Sequence, residues 1–264
     1  VAFPLTLPDI SVNVNGVYTA LAWVRWDDTN FIQSYVVPDI LLKDNADPSR
    51  IYAFGHSSGC CMAIAQAISS GDNGDPFAAV AGLAALGYWE PLGFATEDEA
   101  YDTKGDNGDG VYTMYEKNDR FDDTLQIPTQ IFYGEEDAVM AWAMRTPNAQ
   151  PGRPDFVNPG VFRMFQFYRE YYALGESMNE MMQKGISYRD GDFSTHVFNN
   201  EDNVPILCYE IVKGVGHIQN EAEVRRAYAY FKGFQMDSED NISYTGFDDT
   251  GITEELLAPD SYGW

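Results

Sequence analysis

A serine within a glycine-rich turn is the first feature of this sequence that indicates catalysis. The segment Gly55-His-Ser-Ser-Gly59 fits the pattern Gly-x-Ser-x-Gly, whose glycines permit a sharp turn and let a strand and a helix approach each other. Residues 50–54 before it are β-prone, and residues 58–69 after it are small and apolar at helical spacing. An ordinary Gly/Ser turn seldom has both neighbours correct, so the pattern predicts Ser57 as a nucleophile.

A serine hydroxyl becomes nucleophilic when a base takes its proton, and the chain has three histidines that could be the base. His56 belongs to the turn itself. His217 follows a predicted strand, lies in a Gly-rich loop and precedes a predicted helix, so it can reach the carboxyl edge of a sheet. His196 lies in a polar stretch and is expected at the surface or in contact with substrate. We therefore predict His217 as the general base.

An imidazole that acts as a base needs a carboxylate to fix its tautomer and stabilise its charged form. Glu135, Glu136 and Asp137 follow the predicted strand 129–133. Asp137 is the choice, because an acid three residues past a glycine can curl back toward the histidine loop. The order serine, aspartate, histidine along the chain is that of α/β-hydrolases, in which the backbone N–H of the next residue, here Ser58, helps to bind the oxyanion.

Three segments together resemble the feruloyl esterase and polyhydroxybutyrate depolymerase-like family. They are DPSRIYAFGHSSG at residues 47–59, YGEED at 133–137 and ILCYEIVKGVGH at 206–217, and the likeness extends over about residues 27–231. Membership would imply an α/β-hydrolase fold and hydrolysis of esters. The esters are commonly feruloyl or acetyl groups on plant cell-wall polysaccharides, and the enzymes are bacterial and secreted or on the cell surface.

The resemblance also implies strands and a His-Gly loop roughly a hundred residues before the nucleophile, which are missing upstream of Ser57 here. That loop supplies a second oxyanion donor. We expect either that another polypeptide segment completes the fold or that residues 1–15 have taken over this role.

The elements that must position these residues alternate between strand and helix. Strands are predicted at residues 50–54, 78–85, 129–133 and 206–212, and helices at 29–42, 58–69, 161–174 and from a capping box at Asn220 and Glu223 to Phe234. This order predicts an α/β fold with a mostly parallel sheet flanked by helices. We expect one catalytic domain over residues 1–235, with lid-like insertions at about 87–126 and 140–200, and an acidic tail or strap over residues 236–264.

Several side chains are candidates for contact with substrate. His56 adjoins the nucleophile, and Trp142, Phe162 and Phe165 could stack on a cinnamoyl ring, although packing explains these aromatics equally well. The first insertion is rich in aspartate; a solvated acidic loop is favoured over a calcium site because no EF-hand spacing fits. No metal or other cofactor is predicted.

Composition limits the partners. Acidic residues number 41 and basic residues 16, and the formal net charge of -25 would repel nucleic acids and anionic lipid surfaces. No run of ~20 apolar residues could span a bilayer, and three cysteines do not make a disulfide framework. The expected partner is a small-molecule or polysaccharide-linked ester. Alternatives are an acetyl xylan esterase, a polyester depolymerase, a serine peptidase, or an inactive binding module of the same fold.

Overall fold

A computed structural model of the chain describes residues 13–14, 17–18, 26–43, 46–68, 74–84, 124, 126–139, 165, 167–246 and 255–256. Near its start, β1 (Asn13–Val14) and β2 (Val17–Tyr18) form a small antiparallel pair. A helical segment follows, made of α1 (Trp26–Phe31), a π-helical turn (Ile32–Val36) and α2 (Val37–Lys43). The helix predicted at 29–42 is thus confirmed, and Pro38, which lacks a backbone donor, is the second residue of α2, after the π-helical turn.

A seven-stranded sheet forms the centre of the described structure. Its strands are β3 (Tyr52–His56), β4 (Ala79–Leu83), β5 (Thr129–Gly134), β6 (Ile186–Asp190), β7 (Phe193–Asn199), β8 (Pro205–Val212) and the two-residue β11 (Glu255–Leu256). A separate hairpin of β9 (Phe234–Met236) and β10 (Ile242–Tyr244) lies between β8 and β11 in the sequence. The order across the sheet is β11-β6-β7-β8-β5-β4-β3. The β3-β4, β4-β5 and β5-β8 pairs are parallel, and the β8-β7, β7-β6 and β6-β11 pairs are antiparallel.

Helices cover the sheet on both faces, as expected for an α/β protein. One face packs against α3 (Ser58–Ala67) and against tyrosines of the helical residues 167–171, and the other against α5 (Glu221–Lys232); a shorter helix, α4 (Met178–Lys184), precedes β6. β4 and β5 are buried along their whole length. This double coverage explains why their sequences are almost continuously apolar. The α/β class and the four predicted strands are therefore confirmed.

The cap of α5 is confirmed in atomic detail. Asn220 accepts a hydrogen bond from the Glu223 backbone N–H at 3.0 Å, and the Glu223 carboxylate accepts one from the Asn220 N–H at 2.9 Å. Two N–H groups that a helix leaves without intrahelical partners are satisfied in this way. The cap fixes the point where the chain leaves the loop of His217 and enters α5.

The predicted second insertion is wrong over its last part. α4, β6 and β7 lie within 140–200, and both strands are pairs of the central sheet. The two strands are joined by a two-residue turn in which Gly191 has a φ of 57°, a conformation that a two-residue hairpin turn requires. The sequence analysis missed these strands because polar residues in both, Ser187 and Arg189 in β6 and Ser194 and Thr195 in β7, hide the strand pattern. Residues 140–164 and 166 of this range, and most of the predicted first insertion, lie outside the described residues.

The C-terminal region contains more strand than predicted. Residues 206–212 were expected to form the last strand, yet β9, β10 and β11 follow β8. β10 pairs with β9, and β11 pairs with β6 at the edge of the main sheet. Where the segment 236–264 is described, it is therefore closer to a strap than to a tail. No helix in the described ranges is long and apolar enough to cross a membrane.

Candidate active site

Ser57 lies on a strained turn between β3 and α3. Its backbone has φ 57° and ψ -119°, a region that residues with a β-carbon rarely adopt. Its N–H donates to the carbonyl oxygen of Leu83 at 2.8 Å. A β-carbon at position 55 would clash with the Gly59 carbonyl, so the close approach of β3 and α3 requires glycine there. The turn predicted from the motif is thus formed at its predicted place.

Asp137 and His217 are carried on two loops that touch each other. The backbone N–H of Glu135 donates to Val212 and that of Glu136 to Val215, each at 2.9 Å. A β-carbon at Gly134 would clash with the carbonyl of Val215, so glycine is needed where the loops meet. Asp137 curls back at this point, since its N–H donates to the Gly134 carbonyl at 3.0 Å, and it is buried.

The three predicted catalytic side chains form one hydrogen-bonded chain. Nδ1 of His217 lies 2.9 Å and 3.1 Å from the two carboxylate oxygens of Asp137, and Nε2 lies 2.8 Å from Oγ of Ser57. An ionised carboxylate can only accept, so Nδ1 carries the proton and Nε2 is left to accept from the serine hydroxyl. This tautomer is the one that a general base beside a nucleophile needs.

Ser58 is the first residue of α3. The N–H groups of the first helical turn have no intrahelical acceptor, and the positive end of the helix dipole lies there. Its backbone N–H is therefore suited to bind an oxyanion formed at Ser57, and that role stays a prediction. The described ranges do not identify a second donor at this position.

His56 is in contact with His217. Its ring centroid lies 5.1 Å from that of His217, with the ring planes at 53°. Partial burial, and after it the charge that His217 can carry, lower the pKa of His56. Together these effects outweigh that of Asp137, which raises the pKa. The lowered pKa favours the neutral form of the His56 ring at neutral pH, and its contact with substrate stays a prediction.

The predicted aromatic contacts divide into two groups. Trp142 and Phe162 lie outside the described residues. Phe165 is fully buried in the core, with its ring 5.6 Å from Phe198 and 5.1 Å from Tyr209, both edge to face. For Phe165, packing is therefore the explanation that fits, and its role as a substrate contact is not supported. The neighbouring aromatics Tyr168, Tyr171 and Tyr172 are core residues as well.

The expectation that His196 lies at the surface or contacts substrate is wrong. His196 is fully buried in β7, an interior strand between β6 and β8, and its Nδ1 lies 2.8 Å from Oγ of Ser187. Burial lowers its pKa to about 4, so it is neutral at ordinary pH. The polar neighbours in the sequence suggested a loop, whereas they lie in the sheet interior.

A buried charge network near the site was missed by the sequence analysis. Glu210 is buried in β8 and accepts from Thr195 at 2.6 Å and from Gln130 at 3.0 Å. Arg226 of α5 lies 3.3 Å from Glu210 and 2.7 Å from Asp190. These two pairs fasten α5, the helix entered from the His217 loop, to the strands β6 and β8. A lone glutamate within the apolar run ILCYEIV was the signal that could have revealed it.

No group of three or more metal-ligating side chains that could hold an ion is found in the described part of the chain. Comparison with protein-family models found no match, and comparison with curated proteins likewise found none.

Proposed function

We propose that this chain is a serine hydrolase of carboxylic esters with an α/β-hydrolase fold. The single observation that carries the proposal is the unbroken hydrogen-bonded chain from Ser57 through His217 to Asp137. A serine, a histidine and a buried aspartate from three distant loops meet in the tautomer that activates a hydroxyl. The strained backbone of Ser57 adds support, because such strain is found where the surrounding structure holds a residue for function.

The proposed reaction is acyl transfer in two steps. Oγ of Ser57 attacks the ester carbonyl while Nε2 of His217 takes its proton, and the backbone N–H of Ser58 binds the oxyanion that forms. The carbon–oxygen bond to the alcohol then breaks, and His217 returns the proton to the departing oxygen. A water molecule then attacks the acyl-enzyme while Nε2 of His217 takes its proton. His217 returns this proton to Oγ of Ser57, which releases the acid and restores Ser57.

The substrate proposed on the resemblance is a feruloyl or related hydroxycinnamoyl ester of a plant polysaccharide, met outside the cell. Acetyl xylan, polyester and peptide substrates are alternatives for the same three residues, because the acylation chemistry is common to them all. A substrate panel separates them: aryl esters, methyl ferulate, acetylated xylan and dipeptide amides are offered side by side, and the ratios of kcat/KM are compared.

Covalent labelling tests the proposal directly. A fluorophosphonate probe should label the chain at Ser57, Ser57→Ala should abolish labelling, and Ser243→Ala, a matched change at an exposed serine of β10, should leave it intact. Labelling that survives in Ser57→Ala, or its absence in the wild-type chain, would refute the proposed nucleophile. The second of these results would favour a binding module that has the fold without the reaction.

The proposal includes a further polypeptide segment that pairs with β3. Among the described strands β3 is the terminal one on its side of the sheet, and it is only partly buried while its neighbour β4 is fully buried. An unpaired parallel edge with apolar side chains is unusual. A strand there could supply the second oxyanion donor, whose absence typically lowers the rate by ~10²–10³. Full activity of the purified 264-residue chain as a monomer would contradict this part of the proposal.

A further inference from the structure

His56 projects from the same face of β3 as two aromatic side chains that contact α5. Side chains alternate along a strand, so residues 52, 54 and 56 share a face. Tyr52 stacks on Phe231 of α5 with centroids 4.9 Å apart, and Phe54 contacts the same ring edge to face at 6.5 Å. Further along this face, the ring of His56 meets that of His217. His56 therefore lies on the His217 side of the nucleophile.

One ring nitrogen of His56 is a buried polar atom whose hydrogen bond has to be accounted for. Its Nε2 is buried and has no hydrogen-bond partner among the residues that the structure describes. A buried polar atom without a partner is destabilising, and native proteins that retain one commonly do so for a functional reason. The His56 side chain as a whole is only partly buried, so a group that binds beside it can reach the ring and supply this hydrogen bond.

The chemistry of that group follows from the charge of the ring. Because His56 is neutral, its Nε2 is a donor in one tautomer and an acceptor in the other. A hydroxyl can be the partner of either tautomer, whereas a carboxylate could serve only the donor form. A formal net charge of -25 also disfavours an anionic ligand. A neutral hydroxyl is the partner that fits both conditions.

The reaction indicates which side of the ester carries this hydroxyl. His217 hands its proton to the oxygen of the departing alcohol, so the alcohol lies beside the His217 ring, while the oxyanion lies toward the N–H of Ser58. His56 is in contact with the His217 ring. Building on the proposed function, we propose that His56 is a specificity-determining residue whose Nε2 hydrogen-bonds a hydroxyl on the alcohol part of the substrate, which selects esters of polyhydroxy alcohols over esters of simple alcohols.

Two esters of one acid test this. Glyceryl 1-acetate and propyl acetate have the same three-carbon alcohol and differ in two hydroxyl groups. We expect the wild-type chain to have a kcat/KM at least ~10-fold higher for the glyceryl ester, because a site built around a hydrogen bond discriminates against a substrate that cannot make it. His56→Phe keeps a flat ring without nitrogen and should bring the ratio to within about twofold of one, and His56→Gln should give an intermediate ratio.

The matched control is Tyr52→Phe, which removes a polar group from the same face of β3 by breaking the hydrogen bond from the Tyr52 hydroxyl to the Phe234 carbonyl. It should leave the wild-type ratio unchanged. A wild-type ratio near one, or an unchanged ratio in His56→Phe, would overturn the inference.

Fluorophosphonate labelling of Ser57, measured on every variant, separates the two levels of the proposal. Normal labelling with a ratio that does not respond to His56 would overturn the role of His56 alone. A wild-type chain that is not labelled would overturn the proposed function, and the role of His56 with it. Thermal unfolding of each variant identifies any loss of rate that comes from loss of folded protein.

Discussion

The backbone conformation of Ser57 stores free energy that two substitutions at this one position can measure. Both Ser57→Gly and Ser57→Ala remove the hydroxyl, so neither variant can be a nucleophile. They differ in the β-carbon, which disfavours the observed φ of 57° and ψ of -119° in alanine but not in glycine. If the turn is strained, glycine should give the more stable protein, which is the reverse of the usual order of these two residues.

The expected difference follows from two opposing terms. A residue with a β-carbon in such a sparsely populated region costs about 1–3 kcal/mol. Glycine loses more backbone freedom on folding than alanine, which costs roughly 0.5–1 kcal/mol. Ser57→Gly should therefore have a free energy of unfolding about 1–2 kcal/mol larger than Ser57→Ala. For a chain of this size the difference corresponds to a rise in Tm of roughly 2–8 °C.

Urea unfolding followed by tryptophan fluorescence measures the difference, with the m-value checked for equality between the variants. The control pair is Ser243→Gly and Ser243→Ala at an exposed position of the β10 strand, where φ is not positive and alanine should be the more stable by the usual margin. A Ser57→Gly variant no more stable than Ser57→Ala would refute the claim of strain, whatever the catalytic activity of the wild-type chain.

Three further predictions concern the buried ionisable groups. Burial lowers the pKa of His196 from its ordinary value of 6.5 to about 4. The stability that the neutral ring contributes is therefore full above pH ~6.5 and is lost as the pH falls toward 4. Urea unfolding should show that the free energy of unfolding falls by about 3 kcal/mol less over this window in His196→Gln than in the wild type. Arg226→Met should destabilise the fold by about 3–5 kcal/mol, because it leaves the buried Glu210 without its cation. Adding Glu210→Gln to this variant should restore much of the lost stability. Additive effects of the two substitutions in a double-mutant cycle would contradict the pairing. Asp137→Asn should keep the fold by circular dichroism and lower kcat by about 10⁴, since the amide favours the wrong tautomer of His217; a kcat within tenfold of the wild type would exclude Asp137 as its orienting group.

The site was predictable where its chemistry is encoded by residues close together in the chain. The turn at Ser57 needs glycine at position 55 and a strand and a helix on its two sides, and all of these are visible within about twenty residues. The cap at Asn220 is also a local pattern, completed three residues later by Glu223. For both, the structure differs from the expectation only at the ends of the elements.

Features that depend on tertiary packing were harder to predict. His196 lies among polar residues in the sequence, and its burial depends on groups that pack over it, such as the Tyr209 ring, rather than on its neighbours in the chain. Phe165 has the helical spacing of either a core face or a substrate cradle, and its burial against Phe198 and Tyr209 is a tertiary property. The Glu210 and Arg226 pair joins residues 16 positions apart that meet only when α5 packs on the sheet.

The contact between the loops that carry Asp137 and His217 has a consequence for how this region tolerates change. The two loops are fastened through main-chain groups, from Glu136 to Val215 and from Glu135 to Val212, and these bonds do not depend on which side chains are present. Substitutions at positions 136 and 215, proline excepted, can therefore change the charge and shape of the rim of the site while Asp137 and His217 keep their relative positions. Position 135 is less free, because the Glu135 carboxylate also accepts a hydrogen bond from the Gly214 N–H at 3.3 Å. Gly134 cannot be replaced in the same way, since the β-carbon of any larger residue would clash with the Val215 carbonyl and push the two loops apart.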